Sequence, residues 1–74
     1  MEVLQTDGEE NGKFYIKMNG EVMAEMTYNW RGTDRIIINH TAVDERLKGQ
    51  GAGKQMVIAA VKFARAKGIS IIPQ

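Results

Sequence analysis

Three glycines alternate in the run Arg46-Leu47-Lys48-Gly49-Gln50-Gly51-Ala52-Gly53-Lys54, between an apolar strand-like stretch and a helix-like one. A glycine in a regular element costs roughly 0.5–1 kcal/mol relative to alanine, so Gly49, Gly51 and Gly53 together weaken the bend by about 2–3 kcal/mol. Close approach of the backbone to an anion would offset that cost. A helix start leaves amide N–H groups without intrahelical partners and carries the positive end of the helix dipole. The charge distribution agrees. Residues 1–43 hold four Lys/Arg and seven Asp/Glu, net −3, whereas residues 44–74 hold six Lys/Arg and two Asp/Glu, net +4. The basic half is the half with the glycines, and its summed field favours a polyanionic ligand.

The known glycine motifs narrow the choice. A Walker loop requires a glycine five positions before Gly53 and a hydroxyl after Lys54, but Lys48 and Gln55 occupy those positions. A dinucleotide fingerprint requires a third glycine where Lys54 stands, and an acidic residue about twenty positions further on is also missing.

The elements that must hold this loop can be read from periodicity. Residues 1–4 are an edge-strand candidate, and the acidic, glycine-containing segment to Gly12 is expected to be a mobile loop. Residues 13–18 alternate, with Phe14, Ile16 and Met18 on one face. Asn19-Gly20 then marks a tight hairpin turn. Residues 21–30 form the partner strand, with Val22, Ala24, Met26, Tyr28 and Trp30 on one face and Met23 on the other. After the turn 31–34, residues 35–43 form a third strand whose isoleucine run suits a central position. A helix is predicted over 51–67, closed by Gly68, with Met56, Val57, Ala60, Val61, Phe63 and Ala64 on its apolar side. Residues 69–72 form a last strand. Strand, helix, strand implies a right-handed crossover, so the last strand runs parallel to the third. The predicted architecture is α+β: an antiparallel meander of three to four strands, a β-α-β crossover, and one long helix packed on the sheet.

Length and composition set the remaining bounds. Seventy-four residues make one domain with a modest core, burying ~60% of its unfolded surface. The 43% hydrophobic and 26% charged composition is that of a globular chain. With no cysteine, there is no disulfide framework, cysteine nucleophile or cysteine-based metal site, and no metal is called for. No run approaches ~18 apolar residues and no leader pattern opens the chain, so no membrane partner is expected and the expected location is cytoplasmic.

The run Lys48-Gly49-Gln50-Gly51-Ala52-Gly53 resembles the cofactor loop of the GNAT N-acetyltransferase superfamily, Q/R-x-x-G-x-G/A, with Lys48 in place of the usual Gln or Arg. Ile38-Asn39-His40-Thr41-Ala42-Val43, the loop, the helix and Ile69-Ser70-Ile71-Ile72-Pro73 follow in the order of the very small, single-domain members. The resemblance covers about residues 13–73. It implies acetyl-CoA as co-substrate, with transfer of an acetyl group to an amine acceptor. The diphosphate would meet the amides of residues 50–54 within a loop set of Lys48, Gly49, Gln50, Gly51, Ala52, Gly53 and Lys54. The pantetheine arm would pair with Thr41, Ala42 and Val43 where the third and last strands splay apart.

His40 is the candidate catalytic residue, as general base. The alternation places it on one face with Ile36, Ile38 and Ala42, which favours a buried, hydrogen-bonded structural histidine over that role, while Thr41 points the other way. Asp44 and Glu45 could attract a cationic acceptor, and Tyr28 and Trp30 could line an acceptor groove, although loop solvation and core packing are open to them as well. Small relatives continue past the Ile-Ile-Pro strand into a segment with a cysteine and a short helix, so the chain is expected to be truncated at its C-terminus. A non-catalytic CoA- or acyl-CoA-binding module is the alternative reading. Nucleic acid is not an expected partner, because no aromatics interleave with the lysines.

Overall fold

The computed structural model describes residues 1–73. Its strands are β1 (Leu4–Asp7), β2 (Asn11–Met18), β3 (Glu21–Arg31), β4 (Arg35–Val43) and β5 (Ser70–Ile72), and they lie side by side in chain order. The first four are antiparallel, and β5 runs parallel to β4 after the helix α1 (Ala52–Lys67). This is the α+β architecture expected from the periodicity. No helix among the described residues is long and apolar enough to cross a membrane.

Local chemistry explains the joints. Asn19 (φ 53) and Gly20 (φ 78) both take the left-handed conformation that a two-residue hairpin turn requires. Gly68 (φ 69) ends α1, donating to the carbonyls of Ala64 and Arg65. The N-terminal strand is Leu4–Asp7 rather than residues 1–4. A tight turn, in which Gly8 N–H donates to the Asn11 carbonyl at 2.8 Å, carries the chain back into β2, so the acidic segment pairs instead of forming a long loop.

Two irregularities break the simple alternation. The β2–β3 register slips next to Ile16, which pairs with Ala24 while Lys17 pairs with Val22. Met23 is the extra residue, so Met23 and Ala24 are both buried and Val22 is exposed, against the expectation for that strand. The β3–β4 register slips between Thr27 and Tyr28, which pair with His40 and Ile38 and leave Asn39 as the extra residue.

The core lies between one sheet face and α1. Phe14, Ile16, Met26, Tyr28 and Ile36 are buried beneath Ala52, Met56, Ala60 and Ala64, a four-residue stripe whose three alanines let the helix come close to the strands. Each large side chain so buried contributes about 1.5–3 kcal/mol. Phe63 packs its ring against Phe14, Tyr28 and Trp30, with centroids 5.9, 6.2 and 6.1 Å apart. Val57, expected on the packed side, is exposed instead.

Candidate functional site

The slip at Asn39 decides what faces where. Residues directly opposite one another in an antiparallel pair share a face. Tyr28, opposite Ile38, is buried on the helix side, and so is Met26, opposite Thr41. Thr41 therefore joins Ile38 on the helix side, and His40, opposite Thr27, turns to the other face and is exposed. Both expectations for this pair are reversed, because the one extra residue inverts every later position of the strand.

The same region is where the sheet opens. The β4–β5 pairing runs only from Arg35 with Ser70 to Ile37 with Ile72. From Ile38 to Val43, β4 has no β5 partner among the described residues, so its backbone groups on that side are left for another occupant. A groove of about 490 Å³ fills the opening. Met26, Ile38, Val57, Val61 and Ile71 give it apolar walls, and Asn39, His40 and Thr41 give it a polar edge. The exposure of Val57 thus belongs to this groove. His40 is the single titratable residue among those lining the groove, and its side chain is turned to the other face of the sheet.

Beyond Val43 the chain turns into the glycine run. Asp44 caps the short 3-10 turn Glu45–Leu47 by accepting from Arg46 N–H at 2.9 Å, and Leu47 is buried beneath it. Arg46 braces the bend: its guanidinium meets Asp44 Oδ1 at 3.0 Å and Glu21 Oε1 at 3.4 Å. Hydrogen bonds from Arg46 hold the Asp44 carboxyl down at about 2. Asp44 and Glu45 are thereby engaged within the loop, Glu45 with the Lys48 ammonium at 3.1 Å.

Gly49 (φ 81) and Gly51 (φ 78) take conformations that disfavour a side chain, and Gly51 caps α1 without a side-chain hydrogen bond. A Cβ added at Gly49, Gly51 or Gly53 would meet nothing within 4 Å. The space over the bend is open. The Gln50 N–H donates to the Leu47 carbonyl at 3.2 Å, so it is unavailable to a ligand, contrary to the expected donor set. Gln55 N–H closes the first helical bond onto the Gly51 carbonyl at 2.9 Å. Among the described residues, the N–H groups of Gly49, Gly51, Ala52, Gly53 and Lys54 have no such backbone partner. No acidic residue occupies the first turn of α1 to compete for them.

A bulged strand, a groove where it parts from β5, and a glycine bend at the helix start occur here in one continuous segment. A family model, described as GCN5-related N-acetyl-transferase, matches residues 13–74. The chain belongs to the GCN5-related N-acetyltransferase family. Among curated proteins no match was found. Solved structures share the fold. An aminoglycoside acetyltransferase from an uncultured soil metagenomic sample, in complex with trehalose, superposes with a TM-score of 0.78 at 20% identity, over 92% of this chain and 49% of that one. An aminoglycoside N-acetyltransferase in complex with CoA gives 0.78 at 12% identity, over 99% of this chain and 78% of that one. The ribosomal-protein-S18-alanine N-acetyltransferase from Escherichia coli gives 0.75 at 22% identity, over 85% of this chain and 40% of that one. The chain spans about half the length of the first of these.

Within this GCN5-related chain, several site features escaped the sequence reading. Helical periodicity alone places Val57 and Val61 in the core and gives Asn39 no role. Gly-loop bracing by Glu21, more than twenty residues away, has no local signal. A polar Asn-His-Thr interruption of an isoleucine run was the one available pointer to the bulge. Tyr28 is core rather than groove: its ring is fully buried and its hydroxyl donates to Asp7.

Proposed function

We propose that residues 1–74 form one domain of an acetyl-CoA-dependent N-acetyltransferase that transfers the acetyl group to an amine acceptor. The observation that carries this reading is the continuity of the β4–β5 opening with an unobstructed bend whose amides, apart from that of Gln50, lack backbone partners. An elongated ligand with a phosphate end and an amide-bearing arm fits that shape.

The residues present fit such a ligand. Thr41, Ala42 and Val43 would pair their free backbone edge with the amide-bearing arm, as an added strand does. The amides of Gly49, Gly51, Ala52, Gly53 and Lys54 would hold the diphosphate, with the Lys48 and Lys54 ammonium groups adding charge. Gln50 then acts in the loop through its fold, its Nε2 donating to the Arg46 carbonyl at 3.0 Å. An anion at a helix start gains ~0.3–1 kcal/mol, up to ~2 when partly buried. Micromolar affinity requires about 8 kcal/mol, so the groove must supply most of the binding.

Bound acetyl-CoA supplies an activated acyl thioester. The chain supplies position and proton handling. His40, exposed on the far face of the sheet beside the Asn39 bulge, is suited to take the proton of an amine that approaches from that face.

Thiol release from acetyl-CoA in the presence of a panel of amines tests this reading. Release that requires an amine and falls in His40→Gln is the expected result. CoA binding without release under any amine would replace it with a non-catalytic CoA-binding module.

A further inference from the structure

The sheet face turned away from α1 carries its own cleft, of about 440 Å³, a size in the ~300–1,000 Å³ range of small-molecule sites. The strand register puts Thr6 opposite Lys13, Lys13 opposite Thr27, and Asn11 opposite Asn29, so these residues share that face. Asn39 closes the row, its Nδ2 donating to Asn29 Oδ1. Asn39 lines both this cleft and the groove on the helix side. The bulge residue is therefore common to the linings of both spaces.

The lining specifies a ligand chemistry. Amides and hydroxyls both donate and accept, and so do the hydroxyls of a sugar; an ammonium only donates and a carboxylate only accepts. None of the residues lining the cleft carries a carboxylate. Its one charged residue is Lys13, whose ammonium lies 3.9 Å from the Glu25 carboxylate, so the lining offers no free anion to hold a polycation. A polycationic body is poorly matched, and a neutral, polyhydroxylated one is well matched.

We infer that this cleft is the acceptor site and that the acceptor is an amino sugar, a hydroxylated ring held by Thr6, Asn11, Thr27 and Asn29 with its amine directed to Asn39. The inference rests on the acetyl-transfer reading above. The amine would lose its proton at the His40 side and form the new amide bond as the carbon–sulfur bond of the thioester breaks and the thiolate leaves to be protonated.

The test is a titration of ¹⁵N-labelled protein with glucosamine, with glucose and, separately, with 1,4-diaminobutane, followed by a CoA titration. Glucosamine and glucose are expected to move the signals of Asn11, Thr27, Asn29 and Asn39, and the diamine is not. Asn29→Ala, an exposed substitution whose fold the same spectrum checks, is expected to weaken both sugars about tenfold, the loss of one or two hydrogen bonds. Its CoA response at residues 49–54 should be unchanged. Thr27→Val serves as the second variant, with the same expectation. Silence toward both sugars, tighter binding of the diamine, or undiminished binding in both variants would overturn the amino-sugar site and leave the acetyl-CoA reading standing. Sugar shifts with a loop silent toward CoA would instead remove that reading, and the acceptor role with it.

Discussion

The Tyr28 hydroxyl donates to Asp7 Oδ1 at 2.6 Å, across a gap of 21 residues, and Trp30 Nε1 donates to the same oxygen at 2.9 Å. Gln5 Nε2 in turn donates to the Tyr28 oxygen at 3.0 Å. This cluster ties β1 to β3 at the end of the sheet away from the glycine bend. Burial first, and then the hydrogen bond to Asp7, push the Tyr28 phenol from 10.0 up to about 12. Because the folded value lies above the unfolded one, the stability it contributes is fully present below pH 10 and is lost as pH rises through about 12. Absorbance and circular dichroism followed together through an alkaline titration should show one phenol ionising near 12 with loss of structure. Asp7→Asn should move that step down. Ionisation of the Tyr28 phenol at its ordinary value in the intact fold would contradict the expectation.

Gly12 lies opposite Tyr28, and a Cβ there would come within 2.5 Å of the ring Cζ and hydroxyl and 2.6 Å of the Thr6 carbonyl oxygen. Backbone on one side and a fully buried ring on the other leave little room to yield. Gly12→Ala should therefore destabilise by about 1–3 kcal/mol, the usual range for overpacking, measured by urea or thermal unfolding. An unchanged midpoint would mean that the strands part more easily than their contacts indicate.

Much of this was legible beforehand, and the failures share one cause. The hairpin at Asn19-Gly20, the helix ended by Gly68 and the parallel last strand follow from local turn chemistry and from the shift between two- and 3.6-residue periods. Strict alternation puts Met23, His40 and Thr41 on the wrong faces, because each follows or forms a bulge. A bulge depends on how two strands meet, which neither strand's own sequence encodes. The open bend was visible as glycines. Which of its amides are free was not, because Gln50 N–H is taken up by a carbonyl three residues earlier.

Asp44 holds the approach to the bend through Arg46, and its carboxyl is depressed from 3.8 to about 2, chiefly by the side-chain and backbone hydrogen bonds from Arg46. A depressed folded value means that its contribution is present above pH 3.8 and is lost as pH falls through about 2. The amide signals of residues 45–48 should shift in that window while core signals hold. Asp44→Asn should abolish the transition. Persistence of the transition in the variant would assign it to another carboxylate.

Gly53 separates what the fold needs from what a ligand needs. It has an ordinary φ and open space where a Cβ would stand, and it lies inside α1. Gly53→Ala should leave the fold intact or raise its stability by up to ~0.5–1 kcal/mol. The same methyl group would occupy the ligand's approach, so CoA affinity should fall, measured by calorimetry. A variant that is more stable and binds CoA equally well would place the ligand elsewhere.

Titration of CoA into ¹⁵N-labelled protein tests the anion-binding bend most directly. The expected result is that the amides of Gly49, Gly51, Ala52, Gly53 and Lys54 move together with those of Thr41, Ala42 and Val43, while the signals of β1 stay in place. Unmoved amides from Gly49 to Lys54 at millimolar CoA would contradict it.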